Sequence, residues 1–328
     1  MMKFPQHKLT KLLAAVLAGT FALSALAEPN ITTSTGIPVS GQSDNNFETD
    51  LKLARQGQVK AQVNIGLRYL RGIGGMEKDY TQAKIWLEKA VEQDDDTAKN
   101  NLGMMYLKGW GVEQDYAKAK DLFEQVTKKG NANAQVNLGM MYLQGWGVEQ
   151  NYAKAKDLFE QAVAQGNAEA QNNLGLMYQD GLGVEVDYVK AKALYEQAAK
   201  QGVASAQYSL GIMYEGGLGV KQDYVKASVL FAKAATQGHA QAQNNLGWLY
   251  LQGLGVKKNY VKAKAFYEKA AAQGHAQALN NLGTMYVQGL GVKKDYVKAK
   301  ILLEQAVVQG DTDAPANLNY LRKNGFIQ

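Results

Sequence analysis

One motif returns along most of the chain at a nearly fixed interval, and this decides what the chain can fold into. A Leu-Gly pair, Ile-Gly in the first copy, ends at Gly66, Gly103, Gly139, Gly175, Gly211, Gly247 and Gly283, a spacing of 37 residues once and 36 thereafter. Three residues on stands a tyrosine every time: Tyr69, Tyr106, Tyr142, Tyr178, Tyr214, Tyr250 and Tyr286. A Gly-x-Gly follows, from Gly72/Gly74 to Gly289/Gly291, then Asp or Asn before a second tyrosine, and a closing glycine at 130, 166, 202, 238, 274 and 310. Self-similarity at such a period is the signature of a stacked repeat architecture.

Each part of the motif has a physical reading. Ala61, Ile65 and Tyr69 are spaced to share one face of a helix running to about Leu70. Later copies place Met105, Met141, Met177, Met213, Leu249 and Met285 where the first has Arg68, so this face is core in the interior repeats. A glycine in mid-helix costs roughly 1 kcal/mol against alanine, and its repeated use implies that a neighbouring helix approaches where a side chain would clash. Gly-x-Gly supplies the permissive backbone of a turn. Asp79, Asp115, Asn151, Asp187, Asp223, Asn259 and Asp295 then fall at the N-cap of a second helix. That helix closes at a C′ glycine except in the first copy, where Asp94-Asp95-Asp96 replaces it and nothing in the sequence accounts for the change. Two helices of this length cannot bury their apolar faces alone, so the expected fold is all-α, an α-solenoid of seven helix-turn-helix repeats over residues 58–310. Residues 46–57 read as an N-terminal capping half-helix. Residues 311–328 read as a C-terminal capping helix, with Asn319 and Arg322 where a further repeat would carry its glycine and tyrosine.

The first 27 residues are of another kind. A basic start, an apolar run from Leu12 to Leu26 and an Ala25-Leu26-Ala27 end describe a secretory signal peptide cleaved after Ala27. Residues 28–45, rich in Ser, Thr, Gly and Pro, read as a flexible leader. The expectation is an exported protein, periplasmic or extracellular, with no membrane span after signal removal. Without Lys3, Lys8 and Lys11 the formal charge of +6 falls to +3, too little to suggest a nucleic-acid partner. The absence of cysteine excludes disulfides, thiolate metal sites, a lipid-modified cysteine anchor and cysteine nucleophiles.

The string A-x-x-x-L-G-x-x-Y-x-x-G-x-G-V-x-x-D-Y-x-K-A with a closing A-A-x-Q-G-H-A-x-A, as in Ala206–Ala227 and Ala234–Ala242, resembles the Sel1-like repeat family, which is related to tetratricopeptide repeats. The resemblance covers about residues 58–324 and recurs in phase. It implies a right-handed superhelix of antiparallel helix pairs acting as a binding scaffold, and some bacterial members are exported and touch host or envelope proteins. A cysteine-rich branch of the family is linked to penicillin binding; this chain lacks its cysteines, so that activity does not carry over.

Candidate site residues lie where the sequence varies while the frame holds. One first-helix series is Val63, Asn100, Val136, Asn172, Tyr208, Asn244 and Asn280; four residues later stand Leu67, Met104, Met140, Leu176, Ile212, Trp248 and Thr284. An i, i+4 spacing puts both on one stripe. Beside it lie Asn64, Asn101, Asn137, Asn173, Asn245 and Asn281. By the resemblance, first helices line the concave groove and asparagine there can hold a peptide backbone. The candidate partner-binding set is therefore Tyr208, Trp248, Asn172, Asn244, Asn280, Met104, Met140, Asn101, Asn137 and Asn173. The other reading is that the Met/Leu positions pack helices and the asparagines bridge adjacent repeats, and the sequence leaves both open. Lys84, Lys120, Lys156, Lys192, Lys264 and Lys300 each precede a glutamate by four residues, and both partners vanish together in the fifth copy, as Ser228 and Ala232. That pattern favours surface ion pairs over a ligand stripe. His239 and His275 share one repeat position filled elsewhere by Asn131 and Asn167, a helix start more than a metal site. No S-x-x-K, G-x-S-x-G or strand-preceded glycine fingerprint is present. The expected function is a non-catalytic, cofactor-free and metal-free scaffold, a monomer that binds a protein or peptide. The alternative is an envelope enzyme or a glycan- or wall-binding protein.

Overall fold

A computed structural model describes residues 45–328. The expected signal peptide, and the expected leader as far as residue 44, lie outside the described residues. Sixteen helices and no strand occur among the described residues. In chain order they are α1 (Asn45–Arg55), α2 (Val59–Arg71), α3 (Tyr80–Val91), α4 (Asp96–Lys108), α5 (Tyr116–Thr127), α6 (Ala132–Gln144), α7 (Tyr152–Ala164) and α8 (Ala168–Asp180). They continue as α9 (Tyr188–Lys200), α10 (Ala204–Gly216), α11 (Tyr224–Thr236), α12 (Ala240–Gln252), α13 (Tyr260–Ala271), α14 (Ala276–Gln288), α15 (Tyr296–Val308) and α16 (Ala314–Lys323). Helices α2 to α15 are the seven pairs expected, so the chain is an all-α solenoid. None of the sixteen is long and apolar enough to cross a membrane. The described residues divide into two compact units, 45–177 with 181–185, and 178–180 with 186–328.

In the first unit α2 packs on α3, α4 on α5 and α6 on α7; in the second, α10 packs on α11, α12 on α13 and α14 on α15. The mid-helix glycine is what lets each pair close. A Cβ added at Gly139 would stand 2.7 Å from Cε1 of Phe159, and one at Gly211 2.6 Å from Cε1 of Phe231. The close neighbour is therefore the ring of the repeat's own second helix, fully buried in both cases. Met105, Met141, Met177, Met213, Leu249 and Met285 are all fully buried, the core face read from the sequence.

The turn is held from both sides. The first glycine of Gly-x-Gly caps the first helix in the left-handed region, as at Gly109 with φ 70°, where its N–H donates to Met105 O. The N–H of each N-cap residue then donates to the carbonyl of the motif tyrosine, as from Asp115 to Tyr106 at 3.0 Å. All seven predicted N-caps accept the expected bond, Asp115 Oδ1 from Lys118 N–H at 3.0 Å being representative. The first copy's missing C′ glycine is replaced by Asp94, which adopts φ 63° itself. Asp94 also pairs with Lys99 and with Lys129, and these hydrogen bonds hold its carboxyl at about 2, well below the usual carboxylate range. Aspartate is among the few non-glycine residues that tolerate this backbone region.

Candidate interaction surface

The two asparagine series meet across repeats. Asn137 Nδ2 donates to Asn100 Oδ1 at 3.0 Å, Asn281 Nδ2 to Asn244 Oδ1 at 3.1 Å, and Asn317 Nδ2 to Asn280 Oδ1 at 2.8 Å. In each link the second asparagine of one repeat reaches the first asparagine of the repeat before it. Asn100, Asn101, Asn137, Asn172, Asn173, Asn244 and Asn280 are all buried. Asn101 also donates to Thr97 O at 2.8 Å, and Asn172 to Asn173 Oδ1 at 3.5 Å. Met104 and Met140 are buried too, Met104 within a cluster that includes Phe123 and Met141. Asn137, Asn244 and Asn280 thus bridge adjacent repeats, whereas Asn101 and Asn172 bond within their own helix, and Asn172 Oδ1 and Asn280 Nδ2 are buried with no hydrogen-bond partner among the described residues.

Tyr208 and Trp248 differ from these eight because both are only partly buried. Tyr208 takes the ladder slot of an asparagine: its hydroxyl bonds to Asn245, and burial of that hydroxyl pushes its pKa up. Its ring stacks on His239 at 4.8 Å and leans on Phe231 at 5.8 Å. Trp248 packs against two adjacent apolar clusters, one around Phe231 and Leu246 and the other around Leu282 and Tyr286.

A second polar ladder, of glutamines, was not assigned any role from the sequence. Gln93 Nε2 donates to Gln62 Oε1 at 2.8 Å, Gln165 to Gln135 at 2.9 Å, Gln237 to Gln207 at 2.9 Å and Gln273 to Gln243 at 2.8 Å. Gln62, Gln135, Gln207 and Gln243 are buried. The signal was present as glutamine recurring in both A-x-A-Q and the closing Q-G.

The charged and titratable groups sort plainly. The lysine series forms the expected ion pairs, Lys84–Glu88 at 2.7 Å through Lys300–Glu304 at 3.9 Å. A further lysine series covers the motif tyrosines, with Nζ 4.6–5.1 Å from the rings of Tyr106, Tyr142, Tyr178, Tyr214, Tyr250 and Tyr286. His239 and His275 are N-caps whose Nδ1 accepts from Ala242 and Ala278 N–H. Burial lowers His239 to about 4, which keeps it a neutral acceptor. Glu215 is buried, its Oε1 has no hydrogen-bond partner, and burial raises it to about 7. Glu169 rises to about 7 for the same reason. The Tyr195 hydroxyl donates to Gln179 Oε1 at 3.3 Å, whereas the equivalent Tyr267 hydroxyl has no partner.

A cavity of about 500 Å³ lies between the second and third repeats, lined by Lys120, Asp121, Glu124, Tyr142, Glu149 and Lys154 among others. Its walls are already matched, Lys120 with Glu124 at 2.8 Å and Lys154 over Tyr142 at 4.9 Å. Among the described residues, no three His, Asp or Glu side chains converge as a metal site would require.

Stacked helix pairs joined by internal amide ladders, with variation confined to a few positions, define a helical repeat scaffold. The family model for the Sel1 repeat matches seven times, at residues 59–95, 97–131, 132–167, 168–203, 204–239, 240–275 and 276–311, and the chain belongs to the Sel1 repeat family. Proteins of this family are generally non-catalytic interaction scaffolds. The chain is similar to a Sel1 repeat protein from Oxalobacter formigenes, 32% identical with a TM-score of 0.62 over 96% of this chain and 91% of that one. It is likewise similar to c5321, a protective antigen present in uropathogenic Escherichia coli strains, 36% identical with a TM-score of 0.63 over 84% of this chain and 59% of that one. Among curated proteins it resembles HRD3A of Arabidopsis thaliana, an ERAD-associated E3 ubiquitin-protein ligase component, at 34% identity over 71 residues, 22% of this chain. The chain spans about a tenth of the length of the curated relatives it matches.

Proposed function

We propose that the chain is an exported, non-catalytic scaffold that holds a protein or peptide partner against its first-helix face, with Tyr208 and Trp248 as contact residues. One observation carries the reading: the eight amides and methionines of the candidate set are buried, while Tyr208 and Trp248 alone of that set are partly exposed. Partly exposed aromatics on a rigid support are the residue type that dominates protein-protein contacts. Likeness to a protein named as a protective antigen supports export, and likeness to a named ligase component supports action through assembly.

The test is affinity capture with the processed chain beginning at Glu28, beside a Tyr208→Ala/Trp248→Ala variant of the same chain. Partners retained by the first and lost by the second are expected. Equal recovery by both removes the two aromatics from the site, and turnover of a cell-wall fragment by the purified chain overturns the non-catalytic reading. The export reading is checked separately, by finding Glu28 as the first residue of the protein in a periplasmic or culture fraction; an intact Met1 there or a purely cytoplasmic protein defeats it.

A further inference from the structure

Two periodic surface positions change character together partway along the chain. The turn residue ten places after the Leu-Gly glycine is Glu113, Glu149 and Glu185 in repeats two to four, and Lys221, Lys257 and Lys293 in repeats five to seven. The second residue of the second helix is Thr81, Ala117 and Ala153 in the first three repeats, and Val189, Val225, Val261 and Val297 in the last four. Residues 221–226, 257–262 and 293–298 carry eight lysines and two acids, a formal +6, whereas 113–118, 149–154 and 185–190 carry three lysines and five acids, a formal −2.

The fold brings the valines and lysines of the second unit into one row. A Cβ at Gly255 would lie 2.2 Å from the carbonyl carbon of Tyr224 and 2.6 Å from the amide nitrogen of Val225. One at Gly219 would lie 2.4 Å from Tyr188 Cβ, and one at Gly291 2.6 Å from Tyr260 Cβ. The turn of each repeat therefore rests on the first turn of the preceding repeat's second helix. Lysine and valine alternate along that edge as Val189, Lys221, Val225, Lys257, Val261, Lys293 and Val297. The four valines are 59–72% exposed. Lys221, Lys257, Lys293 and Lys294 are exposed and enter no ion pair among the described residues.

Folding does not ask for this edge. Alanine and threonine fill the valine position in the earlier repeats, β-branched residues are poorer helix formers than alanine, and lysines gathered on one side repel one another. We propose that the turn edge of repeats five to seven is a docking strip for an extended segment of a protein partner in which carboxylates alternate with small apolar side chains. The inference rests on the scaffold reading above and names the partner's chemistry. Complementary charge would steer and register the segment, and the valines would supply apolar contact. A single-stranded nucleic acid is the poorer fit, because it binds by stacking bases on exposed rings and valine offers none.

The probe is a labelled synthetic peptide repeating Asp-Val-Ser, with a Val→Ser version and an oligothymidylate of equal charge as controls, measured by fluorescence anisotropy on the processed chain. Lys221→Glu/Lys257→Glu/Lys293→Glu and Val225→Ala/Val261→Ala install residues that earlier repeats of this chain already use, and circular dichroism verifies that they fold. The expected result is binding by the parent chain that weakens about tenfold in the lysine variant and about threefold in the valine variant. Raising salt from about 50 to about 300 mM should weaken the parent and leave the lysine variant little affected. No binding by the parent, indifference to both edge variants, equal binding of the Val→Ser peptide, tighter binding of the oligonucleotide, or self-association by sedimentation that the lysine variant abolishes would each overturn the strip. None of these results touches the capture experiment, so the strip can fail while the scaffold reading stands.

Discussion

An alanine at Gly139 would bring its Cβ to 2.7 Å from the fully buried ring of Phe159, which has no slack to move into. Alanine is the better helix former by roughly 1 kcal/mol, but overpacking of a tight core costs about 1–3 kcal/mol, so a net loss is expected. Urea unfolding of Gly139→Ala should show it, and a second change, Phe159→Ala, should give a non-additive cycle because the two sites touch. Glu215 is the opposite case, an atom too many for its place. Its carboxyl titrates at about 7 in the folded chain against an ordinary 4.5, so the folded state binds the proton more tightly. Stability from this group is therefore present below about pH 4.5, falls as pH rises to about 7, and stays reduced above that. Glu215→Leu should remove that slope and stabilise the chain by about 2–3 kcal/mol at pH 8, with little change at pH 4. His239, depressed to about 4 from 6.5, costs stability as pH falls through that range, so the difference between the two chains, not either curve alone, reports Glu215. No such difference between pH 4 and 8 would mean that water reaches the carboxyl.

Within an element, what the sequence disclosed was whatever its local chemistry decides. The seven N-caps, the turn glycines and the i, i+4 ion pairs each need partners at most a few residues away, and all are legible in the sequence. The glutamine ladder was not, because Gln165 and Gln135 acquire meaning only when residues thirty apart are brought to 2.9 Å. Asp94 was opaque for another reason: only the backbone at φ 63° reveals that an aspartate is doing a glycine's task. Nothing local to Glu215 marks it as buried, although Leu107, Leu143 and Leu251 at the same repeat position mark the place as interior. The choice between groove contact and bridge for the asparagines needed the cross-repeat distances. The Asn100–Asn137 pair gives this scale its own measurement. Replacing Asn137 with leucine should cost about 1–3 kcal/mol by stranding the Asn100 carbonyl, and an Asn100→Ala/Asn137→Ala cycle should return a coupling of about 1 kcal/mol. Additivity in that cycle would show the bridge to be energetically idle.

At the scale of the whole molecule, stability is a sum of repeats and their interfaces, so the ends matter more than their size suggests. Ala314, Leu318 and Leu321 of α16 are buried against the last repeat, while Asn319 and Arg322 face water. Removing residues 311–328 should lower the melting temperature by about 5 °C or more and produce aggregates in light scattering, because the apolar flank of α15 loses its cover. An unchanged melting temperature would mean that the final helix contributes nothing. The asparagine bond that ties neighbouring repeats has one further implication. Because donor and acceptor recur with the motif, excising residues 132–167 would present Asn173 to Asn100 as Asn137 is presented now, and Asn131 would inherit the capping duty of Asn167. Unequal recombination between near-duplicate stretches such as 109–125 and 145–161 could thus lengthen or shorten the gene product by whole periods without leaving a mismatched seam.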